Sequence, residues 1–227
     1  MAIRKVQYQI DLVHILTFKD EYRYALNPYF GFDNVEYGID FENSISESIR
    51  LIFRNECFAI SMRKEALTFV FEGDVSELKN PSGPMKIFWE LYEKVKAFKG
   101  YTKTVRHTLT CYAVKVLGAE DVKDIFANNP FIKNNPFPNL EEFGCIYEFT
   151  EDGKELKLQF GNYSSKDIKK SDLTPFGSDH NKDLVDSVGL MAHLDIYEMD
   201  KSPSFNKFKS LLHNAENKLS LKPFDLL

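Results

Sequence analysis

Long segments of the chain alternate apolar and polar residues with a period of two, the pattern of a β-strand with one buried face. In residues 4–14 the apolar positions are Val6, Tyr8, Ile10 and Leu12, with polar residues between them. Residues 104–116 and 188–196 repeat the alternation. Strands of this kind must pair with neighbours and cover their apolar side, so this feature requires a sheet with other elements packed against it.

Shorter apolar runs separated by turn residues predict antiparallel pairing. Three strands are expected at about 48–54, 57–62 and 66–72, with Asn55-Glu56 and Arg63-Lys64-Glu65 in the turns between them. Asp152-Gly153 separates two more alternating runs, 145–149 and 156–160. Because Asp-Gly between such runs is the strongest short-range hairpin signal, antiparallel sheet is predicted in both parts of the chain.

Two segments have apolar residues at helical spacing instead. The first contains Met85, Phe88, Tyr92 and Val95, and the second contains Phe205, Phe208, Leu212, Ala215 and Leu219. Ser82 and Gly100 are expected to cap the first helix, and Ser202 the second, with Pro203 at its first position. Shorter helices are predicted at 20–26 and 119–127.

This order of elements predicts an α+β fold with antiparallel sheets and amphipathic helices packed on one face. Both parts of the chain follow a similar plan, which suggests two similar halves. We expect an N-terminal α+β half at 1–127 and a C-terminal α+β half at 144–227, joined by an Asn/Pro-rich loop at 128–143. A length of 227 residues is also compatible with one continuous domain.

Composition and charge argue against several classes of function. The formal net charge of −5 argues against a dedicated nucleic-acid binder, since phosphate contacts need a basic face. Cys57, Cys111 and Cys145 are odd in number and far apart, as in a reducing compartment. The N-terminus has no signal-peptide pattern and no apolar run reaches membrane-spanning length. A cytoplasmic protein without membrane segments, metal or cofactor is therefore expected.

The final strand and helix carry a resemblance to a known family. Gly189-Leu190-Met191-Ala192-His193-Leu194-Asp195-Ile196, followed by Leu211-Leu212-His213 and Leu219, resembles the closing elements of an uncharacterised, sporadically distributed bacterial family. The helix at Trp89–Tyr92 and the strand at 104–116 are similar to the middle of that family. The resemblance covers about half the chain and implies a soluble α+β protein of this size. It implies no catalytic residues.

One polar cluster is a candidate for chemistry. The sequence lacks the dinucleotide, P-loop, nucleophile-elbow and zincin motifs. Asp179, His180 and Asp183 place a histidine beside carboxylates, which suits a general base or a metal ligand. The same residue types occur in any solvated loop, and we favour that interpretation. His107 and His193 fall in predicted strands, with His193 on the face of Met191 and Asp195, and are expected to be buried imidazoles paired to carbonyls.

Two further segments are candidates for binding. Phe131 and Phe137 follow repeated Asn-Asn-Pro motifs and could anchor a partner protein, or dock on the protein's own core. The densest basic run contains Lys94, Lys96, Lys99, Lys103 and Arg106. Within it Lys94, Lys99 and Arg106 are the candidates for phosphate contacts, although a solvated helix end explains the run equally well.

The leading hypothesis is a non-enzymatic cytoplasmic binding or interaction protein that acts through a protein partner or as a homo-oligomer. The alternatives are a hydrolase-like enzyme that uses the cluster at 179–186 and a nucleotide or nucleic-acid binder that uses 94–106. The apolar end of the chain at 219–227 is expected either to pack on the core or to form a subunit interface.

Overall fold

The computed structural model describes residues 1–220, except residues 16, 30, 32–33, 43, 45, 129–143, 165–172 and 185. Within these residues the strands are β1 Ala2–Leu12, β2 Val35–Asp40, β3 Ser48–Phe53, β4 Phe58–Arg63, β5 Ala66–Glu72, β6 Thr104–Leu117, β7 Gly144–Glu151, β8 Lys154–Ser164 and β9 Val188–Glu198. The α-helices are α1 Phe18–Leu26, α2 Met85–Lys96, α3 Ala119–Asn128 and α4 Phe205–Ser220. None of the described helices is long and apolar enough to cross a membrane.

These strands form one nine-stranded sheet in the order β2-β3-β4-β5-β1-β6-β9-β8-β7. Every described strand pair is antiparallel, which confirms the α+β class and the antiparallel pairing. The ladder between β6 and β9 joins residues of 1–127 to residues of 144–227. The division into two halves stays a prediction, and residues 129–143 of the connecting loop lie outside the described residues.

The predicted turns locate two places where the backbone has a positive φ. Asp152 and Gly153 have φ of 50° and 74°, which is the conformation of a two-residue hairpin turn and confirms the predicted hairpin. Cys57, expected in a strand, lies instead in the turn before β4 with a φ of 51°. Strand β2 was not predicted at all. It lies at the edge of the sheet with all its residues half-exposed or exposed, so its sequence does not alternate clearly between apolar and polar residues.

The two faces of the sheet differ in chemistry. Strand β1 presents Val6, Tyr8 and Ile10, all fully buried, to one face, which we call the Tyr8 face. It presents the half-buried Gln7 and Gln9 to the opposite face, which we call the Gln7 face. The main apolar core includes the Tyr8 side of β1 and the buried apolar residues of α1, α2 and α4.

Tyr8 lies at the centre of an aromatic cluster in that core. Its ring centroid is 5.7 Å from that of Phe88 in α2 and 5.0 Å from that of Phe208 in α4. Trp89 is 5.8 Å away. The apolar positions predicted from helical spacing in α2, namely Met85, Phe88, Tyr92 and Val95, are all buried. Those of α4 are buried as well, except Phe205, which is partly buried.

The predicted helix caps are wrong. The Ser82 backbone N–H donates to Asn80 Oδ1 at 2.9 Å, Pro84 precedes α2, and Ser82 caps no helix. Gly100 lies beyond the end of α2, where a Cβ would come within 2.7 Å of Thr17 Oγ1, so close packing explains this glycine. In α4 the cap is Ser204, whose Oγ accepts from the Lys207 N–H at 3.3 Å.

A buried histidine makes stability depend on pH. Tyr8 Oη and His107 Nδ1 are 2.8 Å apart in the core, so His107 is paired with a hydroxyl and not with a carbonyl. Burial lowers the pKa of His107 below its ordinary value of 6.5, and burial raises the pKa of Tyr8. Below about pH 6.5 the unfolded chain therefore binds a proton that the folded protein does not, and folding becomes less favourable.

We expect the free energy of unfolding, measured by urea denaturation, to fall as the pH decreases from 7 to 5. His107→Gln should reduce this slope because glutamine does not titrate. His213→Gln serves as the control, since His213 is exposed on α4. An equal slope in the wild type and in His107→Gln would show that His107 does not contribute to it.

Candidate functional site

A hydrogen-bonded network on the Gln7 face joins strands β6 and β9. The β6–β9 register places Thr110 opposite Asp195 and Tyr112 opposite His193. Thr110 Oγ1 donates to Asp195 Oδ1 at 2.6 Å, and His193 Nε2 lies 3.1 Å from the same oxygen. Asp195 is buried, although it lies on the Gln7 face of the sheet. Such a carboxylate needs these partners, because an unpaired buried charge is costly.

The network determines which nitrogen of His193 is left for a ligand. Burial by itself would raise the pKa of Asp195, but the hydrogen bonds from His193 and Thr110 outweigh it and lower that pKa. An ionised carboxylate only accepts hydrogen bonds, so the proton of neutral His193 lies on Nε2. Nδ1 makes no hydrogen bond to any residue within the described ranges, and in the neutral ring it is an acceptor.

The ring of His193 is fixed by its neighbours along one row of the sheet. His193 stacks on Tyr112 with ring centroids 4.5 Å apart and planes inclined by 21°. On the other side of Tyr112, Lys5 Nζ lies 4.9 Å from the centre of the tyrosine ring. Gln159 of β8 is the next residue of the row after His193. The row therefore holds an imidazole and an amide side by side.

A cavity of about 540 Å³ lies beside this row and is lined by Tyr112, Gln159 and His193, among others. Gly144 and Gly161, which face each other across β7 and β8, contribute backbone without side chains. A Cβ added to Gly144 would meet no heavy atom of the protein closer than 3.8 Å. The lack of a side chain at Gly144 therefore leaves open space in this part of the cavity.

Apolar and polar groups share the remaining lining. Met191 and Ile146 contribute apolar side chains, and Gln159 contributes an amide. Cys145 also lines the cavity, but it lies in register with Phe160 and packs against the main core. The arrangement offers hydrogen bonds along one side and apolar contact along another, which is typical of sites for small molecules.

Residues 173–184 cover the Gln7 face next to this cavity. Leu173 and Leu184 form a small second core with Val114 and Tyr163. Tyr112 and Met191 pack against that core and also line the cavity. Residues 173–184 therefore support two of the cavity's side chains.

A buried carboxylate holds this segment to the sheet. Glu72 of β5 is fully buried. It accepts hydrogen bonds from the backbone N–H groups of Phe176 at 2.8 Å and Ser178 at 3.0 Å. It also accepts from Asn181 Nδ2 at 2.9 Å. No sequence motif marks Glu72, because its partners lie more than 100 residues further along the chain.

The polar cluster predicted from the sequence lies in the same segment, with its side chains in separate contacts. Asp179 pairs with Lys182 at 2.7 Å, and Asp183 pairs with Arg4 at 2.7 Å. His180 is exposed and contributes its backbone oxygen to Arg4. In the described part of the chain no three His, Cys, Asp or Glu side chains lie close enough together to hold a metal ion.

The candidate basic residues are dispersed. Lys94 Nζ donates to the Ala25 carbonyl of α1 at 3.1 Å, while the Lys99 N–H donates to Glu21. Arg106 lies in β6, where it pairs with Asp11 at 2.6 Å and covers the ring of Tyr197. Lys94 and Arg106 thus belong to separate contact networks. Phe131 and Phe137 lie outside the described residues.

Sequence reasoning found part of the network and missed the rest. The alternation correctly placed His193 and Asp195 on one face of β9, yet the expected partner of His193 was a carbonyl and the observed one is a carboxylate. An i, i+2 histidine and aspartate in a strand was the available signal. No local pattern identifies Thr110, Gln159 or the two glycines Gly144 and Gly161 as site residues. Each of them reaches the site only because of the register between neighbouring strands.

Comparison with protein-family models and with curated proteins gives no match.

Proposed function

We propose that this is a non-enzymatic binding protein whose ligand is a small polar molecule held in the cavity beside His193. The observation that carries the proposal is the fixed His193–Asp195–Thr110 network next to a cavity whose lining includes two glycines, Gly144 and Gly161. A fixed imidazole costs little ordering entropy when a ligand binds. The ligand would contribute a hydroxyl or N–H group that donates to His193 Nδ1.

Two features support this class of ligand. The amide of Gln159 can both donate and accept, so it suits a molecule with several polar atoms. Met191 and Ile146 suit a ligand with one apolar face. A cavity of about 540 Å³ has the size of sites that hold metabolites and drug-sized molecules.

Binding rather than turnover is supported by the position of Cys145, the thiol nearest to this site. Its strand register places it with Phe160 and Ala192, and it packs against the main core. A nucleophile must lie within hydrogen-bond reach of its base, and this placement directs the thiol away from His193. The proposal therefore gives His193 the role of a ligand contact.

Native mass spectrometry of freshly purified protein tests this proposal, together with thermal shift against a panel of small polar metabolites. Gly144→Leu should fill the cavity, and His193→Phe should leave the ligand's donor unpaired. Each variant should weaken binding by about tenfold or more. For His193→Phe the reason is that an unpaired donor costs about 1–3 kcal/mol, and for Gly144→Leu it is that the new side chain occupies the space of the ligand. Gly38→Leu on β2 is the matched control, because it also lies on an edge strand with space for a Cβ.

Two results would contradict the proposal. One is a wild-type protein that neither retains a small molecule nor is stabilised by any member of the panel. The other is a ligand that binds equally well to the wild type, to Gly144→Leu and to His193→Phe. Loss of binding in Gly38→Leu would indicate a general effect on the sheet and not an effect on the cavity.

We also infer that the helices form one layer on the Tyr8 face and that the chain consists of two similar halves. In support, Tyr8 contacts both α2 and α4. Each half also contains an antiparallel meander, β3-β4-β5 in the first and β7-β8-β9 in the second. A helix follows each meander, α2 after β5 and α4 after β9.

A further inference from the structure

Strand β7 is an edge of the sheet with large apolar side chains in the solvent. Among the described residues it pairs only with β8, so one side of its backbone has no strand partner there. Ile146 is 61% exposed, Tyr147 42% and Phe149 38%. These residues lie on both faces of the strand, so apolar surface borders the free backbone edge from both sides.

The described residues of this edge carry few of the usual protections against pairing with another strand. Natural edge strands carry charged side chains, proline, a bulge or a short length; β7 has no lysine, proline or bulge in its eight residues, and its charged side chains are Glu148 and Glu151. The opposite edge, β2, is shorter at six residues and exposes one large apolar side chain, Tyr37. The two edges therefore differ in their capacity to accept a strand.

The charges on β7 suit a second copy of the same strand. Glu148 is paired with Lys157 at 3.0 Å, and Glu151 with Lys218 at 2.6 Å, so each acidic side chain is neutralised within its own chain. In a two-fold pairing centred on Tyr147, Glu148 lies opposite Ile146 of the other copy. The same register places Cys145 opposite Phe149, so that no two acidic residues of β7 face each other.

We propose that β7 is a homodimer interface in which two copies pair antiparallel about a two-fold axis near Tyr147, joining their sheets. A strand that pairs with its own copy about such an axis is self-complementary, as a closed dimer requires. The pairing would satisfy the edge backbone groups and cover Tyr147 and Phe149. Gly144, Cys145 and Ile146 of the same strand line the cavity, but Tyr147 and Phe149 do not, so a substitution at Tyr147 tests the interface without altering the cavity lining.

Sedimentation velocity of the full chain over a range of concentrations tests this inference. The wild type should sediment as a dimer that dissociates on dilution. Tyr147→Lys should weaken dimerisation by about tenfold or more, since the charge enters a two-fold interface twice. Tyr37→Lys on β2 is the control, because Tyr37 is also a tyrosine that is 42% exposed on an edge strand.

Circular dichroism and a thermal melt test whether Tyr147→Lys and Tyr37→Lys are folded. A wild type that remains monomeric at the highest concentration would overturn the proposal. A dimer that Tyr147→Lys leaves intact would also overturn it, and a dimer that only Tyr37→Lys disrupts would place the interface at β2. Ligand binding by a monomeric protein would leave the cavity proposal intact, so the two failures are distinguishable.

Discussion

Phe88→Ala is expected to lower the free energy of unfolding by about 3–5 kcal/mol, the usual cost of truncating a buried phenylalanine. Phe88 is fully buried, and its ring contacts Tyr8 of β1, Phe69 of β5 and Trp89. The truncation would leave a cavity between α2 and two central strands. Urea denaturation followed by the fluorescence of Trp89, the single tryptophan, measures this loss.

Phe41→Ala is the matched control, because Phe41 is 72% exposed and its truncation should change stability by less than about 0.5 kcal/mol. A similar small change for Phe88→Ala would contradict the position of α2 against the sheet. A loss of the expected size in both variants would instead indicate that Phe41 is covered in solution.

Glu72→Ala is expected to destabilise the protein by about 3 kcal/mol or more, because three buried donors lose their acceptor at once. These donors are the backbone N–H groups of Phe176 and Ser178 and the side-chain amide of Asn181. The loss should be concentrated in residues 173–184, which Glu72 holds against the sheet. Hydrogen exchange read by mass spectrometry should show faster exchange in that segment than in β5 itself.

Glu72→Gln separates the two parts of this effect. It keeps the size of the side chain and one acceptor oxygen but presents an N–H₂ group to a site lined with donors, so its loss should be intermediate. Glu155→Ala, on an exposed position of β8, should change stability by less than about 0.5 kcal/mol. Unchanged exchange in residues 173–184 of Glu72→Ala would show that other contacts hold the segment.

The alternation of apolar and polar residues was enough to predict the two faces of the sheet and every described strand except β2. Val6, Tyr8 and Ile10 alternate with polar residues, and a strand has no other way to separate them than on opposite faces. The turn at Asp152-Gly153 was also determined locally, since glycine accepts a positive φ at no steric cost. The burial of the α2 positions followed from their helical spacing. In each case the deciding interactions lie within a few residues along the chain.

The helix caps show where local reasoning was not sufficient. Ser82 and Ser202 had the expected residue type, yet their backbone N–H groups donate to Asn80 and Asp200. Several polar residues near each helix start could cap it. The path of the chain into the helix decided which one did so, and that path depends on packing.

The candidate site depends on contacts between residues that are far apart along the chain. His193 and Asp195 are neighbours on β9, but Thr110 is 85 residues from Asp195 along the chain. Only the register of β6 against β9 brings Thr110 to that carboxylate, and only the register of β7 against β8 places Gly144 opposite Gly161. A shift of one residue would turn each of these groups to the other face. Register is set by the summed burial of whole strands and by the lengths of the connections between them, so no local motif reveals it.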